Sequence, residues 1–348
     1  MKAVILAAGK STRTYPLTLN IPKPLLKIAN KTILERNLDS LSEFIEEVIL
    51  IVGFKKEMII ERFGNSYKGI KIKYVEQKEQ FGTGHALMQA EKFCRGRFFV
   101  MMGDDLYSKQ DIKSLSENKY AVLGTKVSEP SSFGVFKLAD GFVMDVIEKP
   151  KTFVSNIANS ALYILDDKIF PILDTIKKTE RGEYELTDAL KVLAKKEKVK
   201  CIITKNWLPI AYPWDVLKAD IQLRKDKNSV GKNTVINGLV INSSIGDSCK
   251  INCDVFNSII YDNTIIEQDS IVEDSIIGNN VRFKGKILSA ENIQKEIKGK
   301  QISISKIGAI IGDNSSLINV NISAGAMLWP DTRISNSNIK EDVLGNNY

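Results

Sequence analysis

The chain has 348 residues, 43% of them apolar and 26% charged, enough length and hydrophobic mass for two ordinary domains. Lys and Arg total 49 against 42 Asp and Glu, a net charge of +7, and no window approaches 18 consecutive apolar residues. These values exclude a single small module, a wholly disordered or fibrous chain and a helical membrane span.

In chain order, apolar runs at 2–7, 47–52, 70–75 and 98–102 read as buried strands. Segments 33–44, 55–63, 84–93 and 187–195 carry the apolar spacing of amphipathic helices. Such alternation predicts an α/β domain over residues 1–227, built on a mixed, mostly parallel sheet covered on both faces. In open sheets of this kind ligands lie beyond the carboxyl ends of the strands, so the loops after Leu6, Val75 and Met102 are expected to share a site.

Residues 213–227 read as a junction helix, and from 228 the period changes. Leu239, Ile245 and Ile251 recur every six residues, and after a shift of two the series restarts as Ile259, Ile265, Ile271, Ile277 and Phe283. Ile304, Ile310, Ile322, Leu328 and Ile334 keep that phase, with Ser316 breaking it. Together with Ile-Gly pairs at 245–246, 277–278 and 311–312, this predicts a hexapeptide-repeat parallel β-helix over 228–340. The charged stretch 288–301 is expected to loop out of the stack, and 340–348 has lost the pattern.

The positive surplus is densest between Lys177 and Lys200, where it reads as a solvated helix face. With no zinc-finger spacing and no aromatic stripe among basic residues, no nucleic-acid partner is expected; mild basicity suits phosphorylated small molecules. The sequence opens directly into Ala3-Val4-Ile5-Leu6 with no basic lead or cleavage site, which predicts a cytoplasmic protein with no membrane partner. Cys94, Cys201, Cys249 and Cys253 are too scattered for a disulfide framework, and Cys249-x3-Cys253 lacks the second pair of a zinc site. They read as buried small hydrophobes.

Three loops carry chemistry. After the first strand comes Leu6-Ala7-Ala8-Gly9-Lys10-Ser11-Thr12-Arg13-Thr14-Tyr15-Pro16-Leu17-Thr18, followed by Pro22-Lys23-Pro24. Small residues let backbone N–H groups approach a polyphosphate, and Arg13 and Lys23 can neutralise it from two sides. It is not a Walker A loop, because Val4 stands where that motif requires a glycine. In Gln77-Lys78-Glu79-Gln80-Phe81-Gly82-Thr83-Gly84-His85-Ala86 an amide side chain can both donate to and accept from a pyrimidine edge, while Gly82-Thr83 offers backbone at close range. His85, the single histidine, reads as a helix-start residue with no Ser or Cys to activate. Gly103-Asp104-Asp105 ends a central strand, where a carboxylate can reach a magnesium ion bridging phosphates.

These blocks resemble the signature of the sugar-1-phosphate nucleotidylyltransferases, most closely the bifunctional UDP-N-acetylglucosamine pyrophosphorylase/acetyltransferase type. The resemblance implies a Rossmann-like nucleotidyltransferase domain followed by a left-handed parallel β-helix. It also implies transfer of a nucleotidyl group from UTP or dTTP to a sugar-1-phosphate, Mg²⁺ as cofactor and a homotrimer through the β-helix. Arg13 would hold the triphosphate and Lys23 would stabilise charge at the attacked phosphorus. Leu6, Ala8, Gly9, Gln77, Gly82 and Thr83 would bind nucleotide. Gly134, Glu148 and Asn159 would meet the sugar, Lys149 its phosphate, and Asp104 rather than Asp105 the metal.

The chain departs from the family pattern at several points. Ser11 stands where relatives carry glycine, which matters if that backbone needs a positive φ. Trp207-Leu208-Pro209-Ile210-Ala211 has Pro209 in place of a metal-binding carboxylate, and Asp215 is expected to face solvent rather than compensate. Gln268 replaces the histidine base of the acetyltransferase segment, so a structural or regulatory β-helix is expected. The departures sustain one alternative, a catalytically weak nucleotide-sugar sensor or scaffold subunit, and the resemblance itself keeps a second, a bifunctional enzyme that also acetylates glucosamine-1-phosphate.

Overall fold

The computed structural model describes residues 1–345; the last part of the tail expected to lose its pattern, 346–348, lies outside the described residues. Two compact units form, one from Met1–Gly9 with Leu34–Pro209, the other from Lys10–Ile33 with Ile210 onward.

The first unit is a mixed α/β layer built on a ten-stranded sheet. Lys2–Ala7 runs parallel to Glu47–Val52 on one side and Arg97–Met102 on the other, and Ile70–Glu76 extends the parallel half. Apart from their first residues, Lys2–Ala7 and Glu47–Val52 are buried throughout, which is why they read as unbroken apolar runs rather than alternating ones. The other half contains antiparallel pairs that the apolar runs did not reveal. Ile157–Asp166 pairs antiparallel with Arg97–Met102 and with Ala121–Lys126, and the hairpin Gly134–Ala139/Phe142–Glu148 closes the edge.

The helices Ile33–Leu41, Lys56–Phe63, Thr83–Met88 and Leu186–Lys196 occupy the expected segments with shifted ends. The third is the shortest, giving way to a 3₁₀ turn at Glu91–Phe93. Leu186–Lys196 buries Leu186, Ala189, Leu190 and Leu193 and leaves Lys195 and Lys196 in solvent, so part of the basic run is a solvated face. All four cysteines are free and buried, and burial pushes the Cys94, Cys201 and Cys253 thiols up to about 12.

In the second unit the helix Pro213–Arg224 and the segment Lys10–Ile33 are stitched to the following strands by buried polar groups. Asp220 accepts from Ala29 N at 2.6 Å and Ser244 Oγ at 2.8 Å and forms an ion pair with Arg224 at 2.5 Å. Asn30 Nδ2 donates to Ile245 O at 2.8 Å, and Tyr261 OH to Lys27 O at 3.0 Å. Each replaces a water contact that burial would otherwise leave unmade.

From Ser229 on, short strands stack in parallel and fit a β-helix: Ser229–Val230 pairs with Ser244–Ile245, that strand with Ile259–Ile260, and Lys250–Ile251 with Ile265–Ile266. Successive coils are 15 residues apart at first and 17 later, as the asparagine pairs Asn242–Asn257 and Asn319–Asn336 show. Asn233, Asn242, Asn257, Asn263, Asn280 and Asn314 hold left-handed backbone, a conformation asparagine tolerates better than most side chains.

The interior differs from the six-residue series by one position in several coils. Ile260, Ile266, Val272, Ile311 and Leu317 belong to the core cluster in place of Ile259, Ile265, Ile271, Ile310 and Ser316. Leu239 is 53% exposed while Val240 packs inward, and Ile265 is 37% exposed. Unequal coil lengths move the phase, and Ile-Ile doublets conceal the slip because one isoleucine faces in and its neighbour out. Ser316 therefore breaks nothing, since Leu317 fills that layer.

The charged stretch leaves the stack as the antiparallel hairpin Ala290–Ile297/Lys300–Ile307, which claims Ile304 from the repeat series. At the far end Val343 still pairs with Leu328, so the coil pattern outlasts residue 340. Among the described residues no helix is long and apolar enough to cross a membrane.

Candidate active site

In the first unit the loop after Lys2–Ala7 is held by its carbonyls. Leu6 O accepts from Gly103 N at 2.9 Å, and Ala8 O from Gln80 Nε2 at 2.6 Å and Phe54 N at 3.1 Å. A Cβ on Gly103 would lie 2.9 Å from Ala7 Cβ, so only glycine lets the Asp104 turn lie against this loop. Leu6, Ala8 and Asp104 are thus brought to one end of the parallel strands, and a side chain at Gly9 would meet open space.

The second acid, Asp105, is tied to neighbouring elements. Asp105 Oδ2 accepts the Trp207 indole N–H at 3.1 Å, and its carbonyl accepts from Asn37 Nδ2 at 2.8 Å, committing Asp105 to the scaffold. Leu106 and Leu208 exchange backbone hydrogen bonds at 3.1 Å, so the Pro209 segment runs beside this turn without bringing a carboxylate. Among the described residues no group of three or more His, Cys, Asp or Glu could hold a metal. Asp104 is a single carboxylate that could serve as one ligand of a divalent ion, since an ion such as Mg²⁺ uses one or two carboxylates and takes its other ligands from phosphate and water.

Gln77 is 5% exposed, and its Nε2 points at Gly82 O, 3.2 Å away, and at His85 Nδ1, 3.0 Å away. His85 lies inside the helix Thr83–Met88 with its ring against Phe81 and Tyr184, where it orients the amide. Gly82 has φ 96°, and a Cβ there would also lie 2.6 Å from Tyr184 O, so glycine is required twice over. Thr83 Oγ1 accepts from Leu186 N at 3.0 Å and caps the helix Leu186–Lys196, a structural task the sequence did not disclose.

A second group lies on the antiparallel half. Gly134 and Glu148 are cross-strand partners, and a Cβ on Gly134 would sit 2.7 Å from Glu148 Oε2 and 3.7 Å from Asn159 Cβ. Asn159 is fixed at both ends, accepting from Ala161 N at 2.9 Å and donating to Tyr163 OH at 2.8 Å. Lys149 is exposed, with Nζ 3.6 Å from Glu148 Oε1.

Glu185 also belongs to this group; it lies in the segment Gly182-Glu183-Tyr184-Glu185-Leu186-Thr187-Asp188, which resembles the family's sugar-phosphate pocket, but has no individual role by that resemblance. It is buried, ion-paired to Arg181 at 2.5 Å, and its carboxyl is pushed up to about 7 by burial first and by the charge of Glu148 second. The available signal was that resemblance, together with its position immediately before the apolar face of the helix Leu186–Lys196.

The second unit carries the two cations. Arg13 sits in the 3₁₀ turn Thr12–Thr14, exposed, with no ion-pair partner among the described residues. Ser11 adopts φ 51°, and its carbonyl accepts from Thr14 N at 3.1 Å, Thr14 Oγ1 at 2.7 Å and Thr18 Oγ1 at 2.9 Å. Lys23 is 4% exposed and opens the turn Lys23–Leu25. Asp215 does not face solvent as expected. Its Oδ2 accepts from Ala211 N at 2.9 Å and Tyr212 N at 2.8 Å, capping Pro213–Arg224.

Residues 2–225 match the family model of the nucleotidyl transferases. The chain belongs to the nucleotidyl transferase family. This nucleotidyl transferase is 40% identical over 248 residues to the bifunctional protein GlmU of Methanococcus aeolicus, a match covering 69% of this chain and 60% of that one. The chain thus spans about 60% of the length of that GlmU relative. It is 33% identical over 237 residues to the UTP–glucose-1-phosphate uridylyltransferase AglF of Haloferax volcanii, covering 65% of this chain and 98% of the relative. Among solved structures it is similar to UDP-glucose pyrophosphorylase complexed with UDP-glucose, with a TM-score of 0.59 and 27% identity over 64% of this chain and 98% of that one.

Proposed function

We propose that this nucleotidyl transferase moves a nucleotidyl group from UTP or dTTP to a sugar-1-phosphate, releasing pyrophosphate and an NDP-sugar. The observation that carries the reading is the group Gly134, Glu148 and Asn159, where the absence of a side chain at 134 lets the Glu148 carboxylate lie close to a fixed amide. Such a set suits the hydroxyl groups of a sugar ring. It belongs to the same sheet as the small-residue loop at Leu6, Ala8 and Gly9, which suits phosphate.

A sugar phosphate is a competent nucleophile at neutral pH, so no general base or covalent intermediate is required. One of its oxygens attacks the α-phosphorus, the bond from that phosphorus to the β-phosphate oxygen breaks, and the electron pair leaves with pyrophosphate. Arg13 holds the triphosphate. Lys23, buried and so acting at low dielectric, stabilises charge at the phosphorus. Gln77, with Nε2 committed to Gly82 and His85, turns its amide oxygen to the N3–H of uracil or thymine, and Gly82 and Thr83 flank the base. Lys149 pairs with the sugar phosphate. Asp104 would hold Mg²⁺, which would offset phosphate charge when bound.

Family match over residues 2–225 supports a nucleotidyltransferase domain at 1–227, with the stacked strands at 228–340 as its partner domain. We read the stack as a left-handed hexapeptide β-helix that joins three copies of a cytoplasmic protein. Gln268 lines a polar recess with Lys250, Arg282 and Lys284, and glutamine cannot take a proton from an amine at neutral pH, so this domain acts without acetyl transfer.

Pyrophosphate release with UTP and dTTP, Mg²⁺ and a panel of sugar-1-phosphates tests the reading. Saturable release supports it, binding without turnover across the panel favours the sensor, and CoA release with glucosamine-1-phosphate would restore the bifunctional alternative.

A further inference from the structure

The hairpin Ala290–Ile297/Lys300–Ile307 is not a loose excursion. Lys295 is ion-paired with Asp342 and donates to Gly325 O at 2.9 Å. Ile293 Cγ2 lies 2.7 Å from where a Cβ on Gly325 would stand, so only a glycine there admits the hairpin. Lys306 pairs with Asp274 at 2.9 Å, and Ser289 N and Oγ donate to Glu273 at 3.1 and 3.2 Å. The base and middle of the hairpin are therefore anchored to the coils.

Lys298 and Gly299 close it with φ 52° and 73°, a tight two-residue turn. At this tip Lys298 Nζ donates to Thr12 Oγ1, and Thr12 immediately precedes Arg13 in the turn Thr12–Thr14. Lys10, Arg13 and Lys298 have no ion-pair partner among the described residues. The nearest acid along the arm, Glu296, accepts from Gln301 Nε2 at 3.1 Å. A hydroxyl uses one of the three ammonium donors and neutralises no charge. Cations gathered without counter-charge are unfavourable until a polyanion arrives.

We propose that Lys298 is a further contact to the triphosphate, carried to the Lys10–Thr14 loop by an outgrowth of the β-helix. This deepens the functional reading above and rests on it. On nucleotide binding the ammonium keeps or exchanges its bond to Thr12 and donates to a phosphate oxygen, so the arm completes a charge set that the loop begins.

The test uses the full chain with Lys298→Ala, Lys298→Glu and Lys298→Arg. Steady-state kinetics should show KM for the nucleotide rising about tenfold in the alanine variant, the size of one charge-assisted contact, and further in the glutamate variant. The arginine variant should stay within about threefold of the wild type, with KM for the sugar-1-phosphate and Tm unchanged in all three. Nucleotide KM within about twofold of wild type in both the alanine and glutamate variants, or an equal rise in both KM values, overturns the inference and leaves the functional reading standing. Absence of turnover by the wild type across the sugar panel overturns both.

Discussion

Glu148 Oε2 stands 2.7 Å from the point a Cβ on Gly134 would occupy, and the two residues are paired across neighbouring strands. The carboxylate therefore fills the space that a side chain at 134 would take. Gly134→Ala should push Glu148 aside, raising KM for the sugar-1-phosphate about tenfold while the nucleotide KM stays within about twofold. The fold should lose about 1 to 3 kcal/mol, because overpacking is relieved by a side chain rather than by backbone. An unchanged sugar KM in steady-state assays would separate this niche from the sugar.

Glu185 titrates near 7 in the fold against 4.5 as a free side chain, so between those values the folded state holds a proton that the unfolded state has lost. Stability should fall as pH rises through this window, and no further once both states are ionised. Glu185→Gln removes the titration, and its unfolding free energy from urea titrations should vary less than that of the wild type from pH 5 to 8, by an amount on the order of 2 kcal/mol. Parallel pH profiles for the two proteins would contradict the assignment.

Ser11 holds φ 51° with three hydrogen bonds on its carbonyl. An L-residue in this region costs about 1 to 2 kcal/mol relative to right-handed backbone, a cost glycine escapes. Ser11→Gly should raise Tm and tighten the nucleotide KM by up to about fivefold, whereas β-branched Ser11→Val should loosen it. Thermal melts and kinetics decide the matter; a less stable glycine variant would refute the strain argument.

Lys23→Ala should lower kcat on the order of 10²-fold or more, the loss expected for one preorganised charge-stabilising group. A fall below about fivefold removes Lys23 from that role. The acids divide the other way: Asp104→Asn should raise the Mg²⁺ concentration for half-maximal rate about tenfold, and Asp105→Ala should instead lower Tm by freeing the Trp207 indole. Equal metal dependence in both variants would void the division.

The parallel strands were legible because burial on both faces makes a strand such as Glu47–Val52 apolar at almost every position. Two of the three loops were legible because glycine at 82 and 103 answers a steric demand that leaves a mark in sequence. What stayed hidden has a physical reason in each case. A buried carboxyl such as Glu185 looks like any surface glutamate until Glu148 and Arg181 are seen beside it. Asp215 shows its capping task only through two backbone N–H groups. The doublet Ile265-Ile266 satisfies either phase of the coil, so period alone could not choose the inward residue.

Ile276 pairs with Ile310 and Ile277 with Ile311, so one rung follows the next as though nothing had been spliced between them. The ladder closes over the splice point: Arg282–Ile287 still forms a rung, with Phe283 and Ile287 in the core, and only the hairpin Ala290–Ile297/Lys300–Ile307 is cargo rather than masonry. Beyond its anchors at Lys295 and Lys306 the arm can grow or change its tip without altering the rungs above or below, and the reach of the stack toward distant loops can change while the stack itself stays the same.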